Sequence, residues 1–331
     1  MIDIHLHLDG SLSEEDFLYL GKKNNIDLGK EFPRNIYVAK DCSSLEEYLE
    51  RFDFPLLLLQ DAESLEYATS SLVHRLYKLG YIYAEIRFAP LLHLQKGLKQ
   101  LQVVEAVLKG LNKALKDCPG FDANIILCCM RHADEQTNLE TIEVAHKLKG
   151  SKVVAVDLAG AERLHPSSFY SRIFQKAQEY GLNITIHAGE ATGSDEIMMA
   201  IANGAQRIGH GVHLSLDNQT VDFVKKNNIC FEFCPTSNLQ TKSLKCYQDV
   251  PLRKFMELGI PVTINSDNMT VSQTDVIKEF QYMVETFQLS QKEVEQLLTN
   301  SIKYSFTDEN KKEELLSLLK NKIFKFYQKI I

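Results

Sequence analysis

Apolar and polar residues alternate with a period of two in several short stretches of the chain. The first is Ile2-Asp3-Ile4-His5-Leu6-His7-Leu8-Asp9, in which Ile2, Ile4, Leu6 and Leu8 fall on one face of a strand and Asp3, His5, His7 and Asp9 on the other. Further strand-like segments are Tyr83–Phe88, Ala123–Met130, Val153–Leu158, Asn183–His187, Arg207–His210, Ile229–Cys234 and Pro261–Asp267. Amphipathic stretches such as Leu101–Lys116 and Ile197–Asn203 separate most of them. Strands alternating with helices imply a parallel sheet with crossover connections. Eight such strands predict an α/β fold of the closed (β/α)8, TIM-barrel type. No Gly/Ser/Pro linker interrupts the pattern, so residues 1–331 read as a single barrel domain, with residues 290–331 forming C-terminal helices.

About seventy residues separate the first two strands, and this insertion reads as helical over Ser13–Lys23, Ser44–Phe54 and Glu63–Leu79. Ser44 followed by Glu47 has the form of a capping box. Loops after barrel strands carry the active site, so a helical insertion over residues 11–80 is placed to form a lid. Phe52, Phe54 and Leu56–Leu59 would give it an apolar underside. Ordinary packing of these helices on the barrel accounts for the same pattern, and both readings stand at this point.

Composition narrows the class. With 44% hydrophobic and 24% charged residues the chain reads as soluble and globular. A net charge of −7 argues against nucleic acid as a partner, because phosphate binding needs clustered Lys and Arg. The basic stretch Lys320–Lys329 reads as a final helix with a solvated lysine face. The seven cysteines (42, 118, 128, 129, 230, 234 and 246) are odd in number and irregular in spacing. They read as small buried hydrophobes rather than a disulfide framework. Asp3, His5 and His7 break up any signal-peptide pattern, and no apolar run is long enough to span a membrane, so the expected location is cytoplasmic. Oligomeric state leaves no mark on the sequence.

The candidate chemistry sits at strand ends. On the polar face of the first strand His5 and His7 project together, and two buried imidazoles are costly unless something pairs them. A metal does so. The fifth strand points Thr185 and His187 inward and runs into Ala188-Gly189-Glu190; the eighth points Thr263, Asn265 and Asp267 inward. Three histidines and one carboxylate make an N/O shell suited to zinc, with room for a water. Glycines flank His210 and leave its imidazole at the barrel rim. Glu190, beside a metal-bound water, is placed for proton transfer. Glu85 and Arg87 point inward on the second strand and read as a lumen ion pair, which Asp157 and Glu232 could join. His93, His132 and His165 follow strands two, three and four. His74 and His146 read as helix surface or packing residues, and His213 as loop.

Taken in order, His5-Leu6-His7-Leu8-Asp9-Gly10-Ser11, His187-Ala188-Gly189-Glu190, Arg207-Ile208-Gly209-His210-Gly211, Thr236-Ser237-Asn238 and Ser266-Asp267-Asn268 resemble the motifs of the adenosine deaminase family. Tyr83–Pro90 and Asp157-Leu158-Ala159-Gly160 fit as well, so the resemblance spans nearly the whole chain. It implies one zinc per subunit, held by His5, His7, His187 and Asp267. It implies Glu190 as the general acid toward purine N1, and His210 as the group that orients the attacking hydroxide and assists its deprotonation. Among the substrate contacts it implies His7, with Asp9 on the ribose 5′-hydroxyl, the Gly160 backbone N–H at N3 and Asn268 at N7. The reaction implied is hydrolysis of adenosine or 2′-deoxyadenosine to the inosine product and ammonia. The chain departs from the family pattern at Asn268, where a second Asp is usual. An amide carries its N–H donors without needing a proton, so Asn268→Asp is expected to remain active with a steeper alkaline loss.

Adenine, 5′-methylthioadenosine and N6-methyl-AMP are alternative substrates within the superfamily. Asp9 favours an unphosphorylated nucleoside, since its charge would repel a 5′-phosphate. A binuclear amidohydrolase would need a bridging Lys or Glu after the fourth strand, where this chain has Asp157-Leu158-Ala159-Gly160. Cys234-Pro235-Thr236-Ser237 does not match the cytidine-type zinc motif. A non-catalytic nucleoside-binding barrel is the remaining alternative, and ammonia release distinguishes it.

Overall fold

A computed structural model describes residues 1–331. Eight parallel strands pair in chain order: β1 Ile2–His7, β2 Tyr83–Phe88, β3 Asp122–Met130, β4 Val153–Ala159, β5 Asn183–Ala188, β6 Arg207–His210, β7 Cys230–Phe233 and β8 Val262–Ile264. The ring is nearly closed between β8 and β1. Closure runs through Asp267, whose N–H donates to His5 O at 2.9 Å and whose carbonyl accepts from His7 N at 2.7 Å. Strand eight is shorter than its apolar pattern suggests because the chain leaves extended geometry there, and Asp267 has φ +59.

The alternation in β1 has the expected sense. Ile2, Ile4, Leu6 and Leu8 are fully buried in a continuous apolar cluster of 82 residues between barrel and helices. Asp3 and His5 are equally buried but face the lumen, where Asp3 meets Ser266 and His5 meets Glu232. Glu85 and Arg87 lie inward too, yet they do not pair with each other. Arg87 bonds Asp157 at 2.9 Å and Glu232 at 2.8 Å, whereas Glu85 pairs with Arg207 at 2.6 Å. Arg207 also reaches Glu232 at 2.5 Å. Neighbours two apart on one strand diverge to partners across a narrow lumen. The strand pattern alone left Arg207 out of this network.

The segment between β1 and β2 forms four α-helices: α1 Glu14–Asn24, α2 Leu45–Leu49, α3 Asp53–Leu58 and α4 Ala62–Leu79. Ser13 and Asp16 make a reciprocal capping box on α1. On α2 only half of the expected box forms. Ser44 accepts from Glu47 N, but the Glu47 carboxylate bonds Ser43 N and Oγ instead of Ser44. Tyr48 ties α2 to the barrel, its hydroxyl lying 2.7 Å from Ser272 Oγ and accepting from Asn268 Nδ2 at 3.0 Å. Helix α4 packs closely on the helix Gln100–Leu115, where a Cβ at Gly110 would lie 2.3 Å from Glu66 O.

The chain ends in helices Gln291–Lys303 and Glu309–Ile330. Their connection plugs the N-terminal end of the barrel: the Arg207 guanidinium stacks over the Phe306 ring at 3.9 Å, and Phe306 N donates to Glu85 at 2.5 Å. All seven cysteines are free, and only Cys246 is exposed. No helix is long and apolar enough to cross a membrane.

Candidate active site

The sequence-predicted ligands come together at the C-terminal end of the barrel. One donor atom from each of His5, His7, His187 and Asp267 lies within 4.8 Å of the other three. His7 Nε2 and His187 Nε2 face each other at 3.3 Å, and Asp267 Oδ1 lies 3.4 Å from His7 Nε2 and 3.5 Å from His5 Nε2. The outer nitrogens are already engaged. His5 Nδ1 is 2.7 Å from Glu232, and His187 Nδ1 is 3.0 Å from Asp157. A carboxylate on Nδ1 fixes the proton there and turns the Nε2 lone pair inward. Buried His5 Nε2 has no hydrogen-bond partner of its own. Lone pairs converging on one point, with a buried nitrogen unsatisfied, fit a single cation with N/O ligands. A second grouping swaps in His210 and Cys234 beside His5 and Asp267. It is the weaker shell, because burial raises the Cys234 thiol well above its usual range and a thiol must deprotonate to bind a metal.

Glu190 and His210 stand beside this group. Glu190 Oε2 is 3.6 Å from His210 Nε2, and Glu190 Oε1 accepts from Thr241 Oγ1 at 3.1 Å. Burial raises Glu190 well above the ordinary carboxyl range, and the nearby Asp267 and Glu162 push the same way. It therefore keeps its proton to higher pH than an ordinary carboxyl does. Asn238 Nδ2 lies 3.1 Å from His210 Nδ1, so Nδ1 accepts and the ring proton sits on Nε2, facing Glu190. Burial, opposed by Asp267 and reinforced by the other imidazoles, lowers His210 to about 3. His210 and Asp267 both hold positive φ, +64 and +59, in the left-handed region that β-carbon residues seldom occupy. Strain of this kind clusters where geometry serves function.

The family model for adenosine deaminase matches residues 1–322. This chain belongs to the adenosine deaminase family. It is 44% identical to the adenosine deaminase of Haemophilus ducreyi over 327 residues, covering 96% of this chain and 94% of that one. To the adenosine deaminase of Clostridium perfringens it is 39% identical over 319 residues, covering 95% and 96%. Among solved structures, the adenine deaminase of Arthrobacter aurescens superposes with a TM-score of 0.88 at 26% identity, over 99% of this chain and 98% of that one.

Two cavities flank the metal-binding group of this deaminase-family barrel. One, of about 330 Å³, is lined by His7, Asp9 and Gly160 with Phe52, Leu56 and Met130. The other, of about 420 Å³, is polar and reaches Glu190 and Thr241. Residues 43–46 of the insertion line the polar cavity, and Leu49, Phe52, Asp53 and Leu56 line the apolar one. Burial pushes Asp9 up to about 6. Asn268 is buried, with its Nδ2 on Tyr48 and its Oδ1 unpaired. His132 and His165 reach the apolar cavity, while His93 is buried away from it with Nδ1 on Leu59 O. Sequence reasoning missed Tyr48 and Thr241, neither of which stands in a strand pattern. It placed Asp157 and Glu232 in a lumen network without seeing that they orient the imidazoles of His187 and His5 in the candidate metal group.

Proposed function

We propose that this protein hydrolyses adenosine and 2′-deoxyadenosine to inosine and 2′-deoxyinosine plus ammonia, with one zinc ion held by His5, His7, His187 and Asp267. The observation that carries this reading is the convergence of those four groups beside a buried carboxyl, Glu190, that its surroundings raise well above the ordinary range. When bound, zinc lowers the pKa of water and so supplies a nucleophile at neutral pH. The chain's own residues do the rest. Neutral Glu190 gives its proton to purine N1, which makes C6 electrophilic. The Nε2–H of His210 orients the attacking oxygen; with Nδ1 occupied by Asn238, this donor role is the one its geometry supports. The Asp9 carboxyl receives the 5′-hydroxyl, the Gly160 N–H meets N3, and one Asn268 N–H remains for N7 beside the one given to Tyr48. His7, at the cavity wall, packs against the purine. The 11–80 insertion, which walls both cavities, serves as the lid that keeps bulk water out. Seven free cysteines support a reducing, cytoplasmic location.

Deamination of adenine is the second reading, favoured by the similarity to the Arthrobacter enzyme. Asp9 in the cavity would then lack a hydroxyl partner. Purified protein should convert adenosine with loss of its ultraviolet absorbance, lose that activity on chelation, and regain it with zinc. Zinc-loaded, folded protein that releases ammonia from adenine but not from adenosine would overturn the nucleoside reading.

A further inference from the structure

The loop after β5 carries Glu190 through a sharp turn. Gly189 has φ +69, and a Cβ there would lie 2.4 Å from Ile197 Cδ1. Four successive backbone N–H groups of this turn point at one carboxylate. Glu162 Oε1 accepts from Gly189 N at 2.5 Å, and Oε2 accepts from Glu190, Ala191 and Thr192 N at 3.1, 2.8 and 3.2 Å. Glu162 is itself buried, 3% exposed, in the loop after β4, two residues past Gly160. Consecutive N–H groups aimed at one point form an anion-binding concavity. Here the chain fills it with its own carboxylate.

The carbonyls of the segment are held from other directions. Arg131, fully buried, donates to His187 O at 2.7 Å, and Arg163 Nε donates to Ala191 O at 2.8 Å. The amide side of the turn depends on Glu162 alone, which accepts from all four N–H groups. Leaving even one of them buried without a partner is costly, so the turn geometry and the Glu162 carboxylate stand or fall together.

We infer that Glu162 is a positioning residue for the reaction, whose carboxylate fixes the 189–192 turn and thereby aims the Glu190 carboxyl at the substrate. This rests on the reading of Glu190 as proton donor. The Glu162 carboxylate also adds to burial and to Asp267 in raising Glu190 above the ordinary carboxyl range, so both effects act through one residue.

Glu162→Gln tests it, because it preserves volume but sets an NH2 group against a row of donors. A misplacement of order 1 Å at a reacting group costs up to about 100-fold in rate. The variant should therefore lose about 10- to 100-fold in kcat, with KM within about 3-fold and zinc content near that of the parent, while Tm falls because at least one N–H loses its acceptor. Hydrogen exchange should rise in the peptide covering residues 188–193 and stay unchanged in the barrel strands. This readout needs no turnover. In a Glu190→Gln background the same substitution should cost less than about 2-fold in kcat, since the group it acts through is gone. Glu162→Asp, which keeps both oxygens but withdraws them by one methylene, should fall between parent and Gln and carries the same cycle if the Gln variant folds poorly. An equal cost in both backgrounds, or unchanged exchange at 188–193, overturns the inference alone. A Glu190→Gln single variant with parental kcat overturns the role of Glu190 and this inference with it.

Discussion

On the proposed reading, the protonation state of one buried carboxyl, Glu190, controls the reaction. Glu190 is raised by burial, then by Asp267, then by Glu162, and its hydrogen-bond donor Thr241 opposes them only in part. A carboxyl raised in this way keeps its proton to higher pH than an ordinary one and loses it as pH climbs. An acid catalyst of that kind keeps the rate high on the acidic side and lets it fall on the alkaline side. The kcat profile should accordingly decline toward alkaline pH. Glu190→Gln, which cannot give a proton, should lower kcat by about 10²- to 10⁴-fold across the range with little change in KM. Steady-state kinetics between acid and alkaline pH would check both, and a Gln variant within 10-fold of the parent would remove Glu190 as the acid. At this scale the sequence was informative for His5, His7, His187 and Asp267, because strand alternation alone says which side chains enter the lumen. It was silent on Tyr48, Thr241 and Glu162. These come from an insertion and from loops, where no periodicity fixes direction.

Elements were legible to different depths for physical reasons. Strands β2 and β6 match the apolar pattern residue for residue, since both neighbours and both faces constrain them. The ends of β1, β7 and β8 were overestimated, because the chain bends there to present side chains at the barrel mouth. The helix Val276–Phe287 shows a constraint that pattern cannot reveal. Its Glu279 is fully buried, accepting from Thr236 N at 3.0 Å and from Thr274 Oγ1 at 2.5 Å, and so it fastens this helix to the short helix Pro235–Gln240 after β7. Burial raises it from 4.5 to about 7, against the hydrogen bonds from Thr236 and Thr274. Because the folded state binds this proton more tightly than the unfolded chain, the stabilisation is fully present below pH 4.5 and is lost as pH rises through about 7. At ~1.4 kcal/mol per pH unit the loss is about 3 kcal/mol. Urea unfolding at pH 5 and pH 8 should show the parent losing stability relative to Glu279→Gln. Equal pH dependence in the two proteins would show that Glu279 is not the group responsible.

Across the whole molecule, the lumen connects stability to the metal-binding group. Arg87 sits at the junction, bonded to both Asp157 and Glu232, and those carboxylates in turn hold His187 Nδ1 and His5 Nδ1. Glu232 also meets Arg207, which reaches Glu85 and the C-terminal plug at Phe306. The charge chain thus runs from the closed end of the barrel to its mouth. Strand patterning predicted charges in the lumen but not their order, because the order depends on which strands face one another after closure. Removing Arg87 should do two separable things. Arg87→Met leaves Asp157 without its cation and Glu232 with Arg207 alone, in a site that excludes water, and should cost about 3–5 kcal/mol of stability. With zinc as the proposed ion, it should also loosen the metal, since Asp157 and Glu232 lose the partner that holds them against the imidazoles, an effect of about 10- to 100-fold in affinity by analogy with other outer partners of metal ligands. Adding Glu232→Gln to Arg87→Met removes the charge that has lost one of its two guanidinium partners, while Arg207 keeps Glu85, so stability should partly return. Zinc affinity should not recover with it, because His5 Nδ1 then faces an amide instead of a carboxylate. Thermal unfolding alongside zinc competition with a chelator would separate the two. Stability and zinc affinity recovering together in the double variant would mean that Arg87 supports the fold alone and has no hold on the metal group.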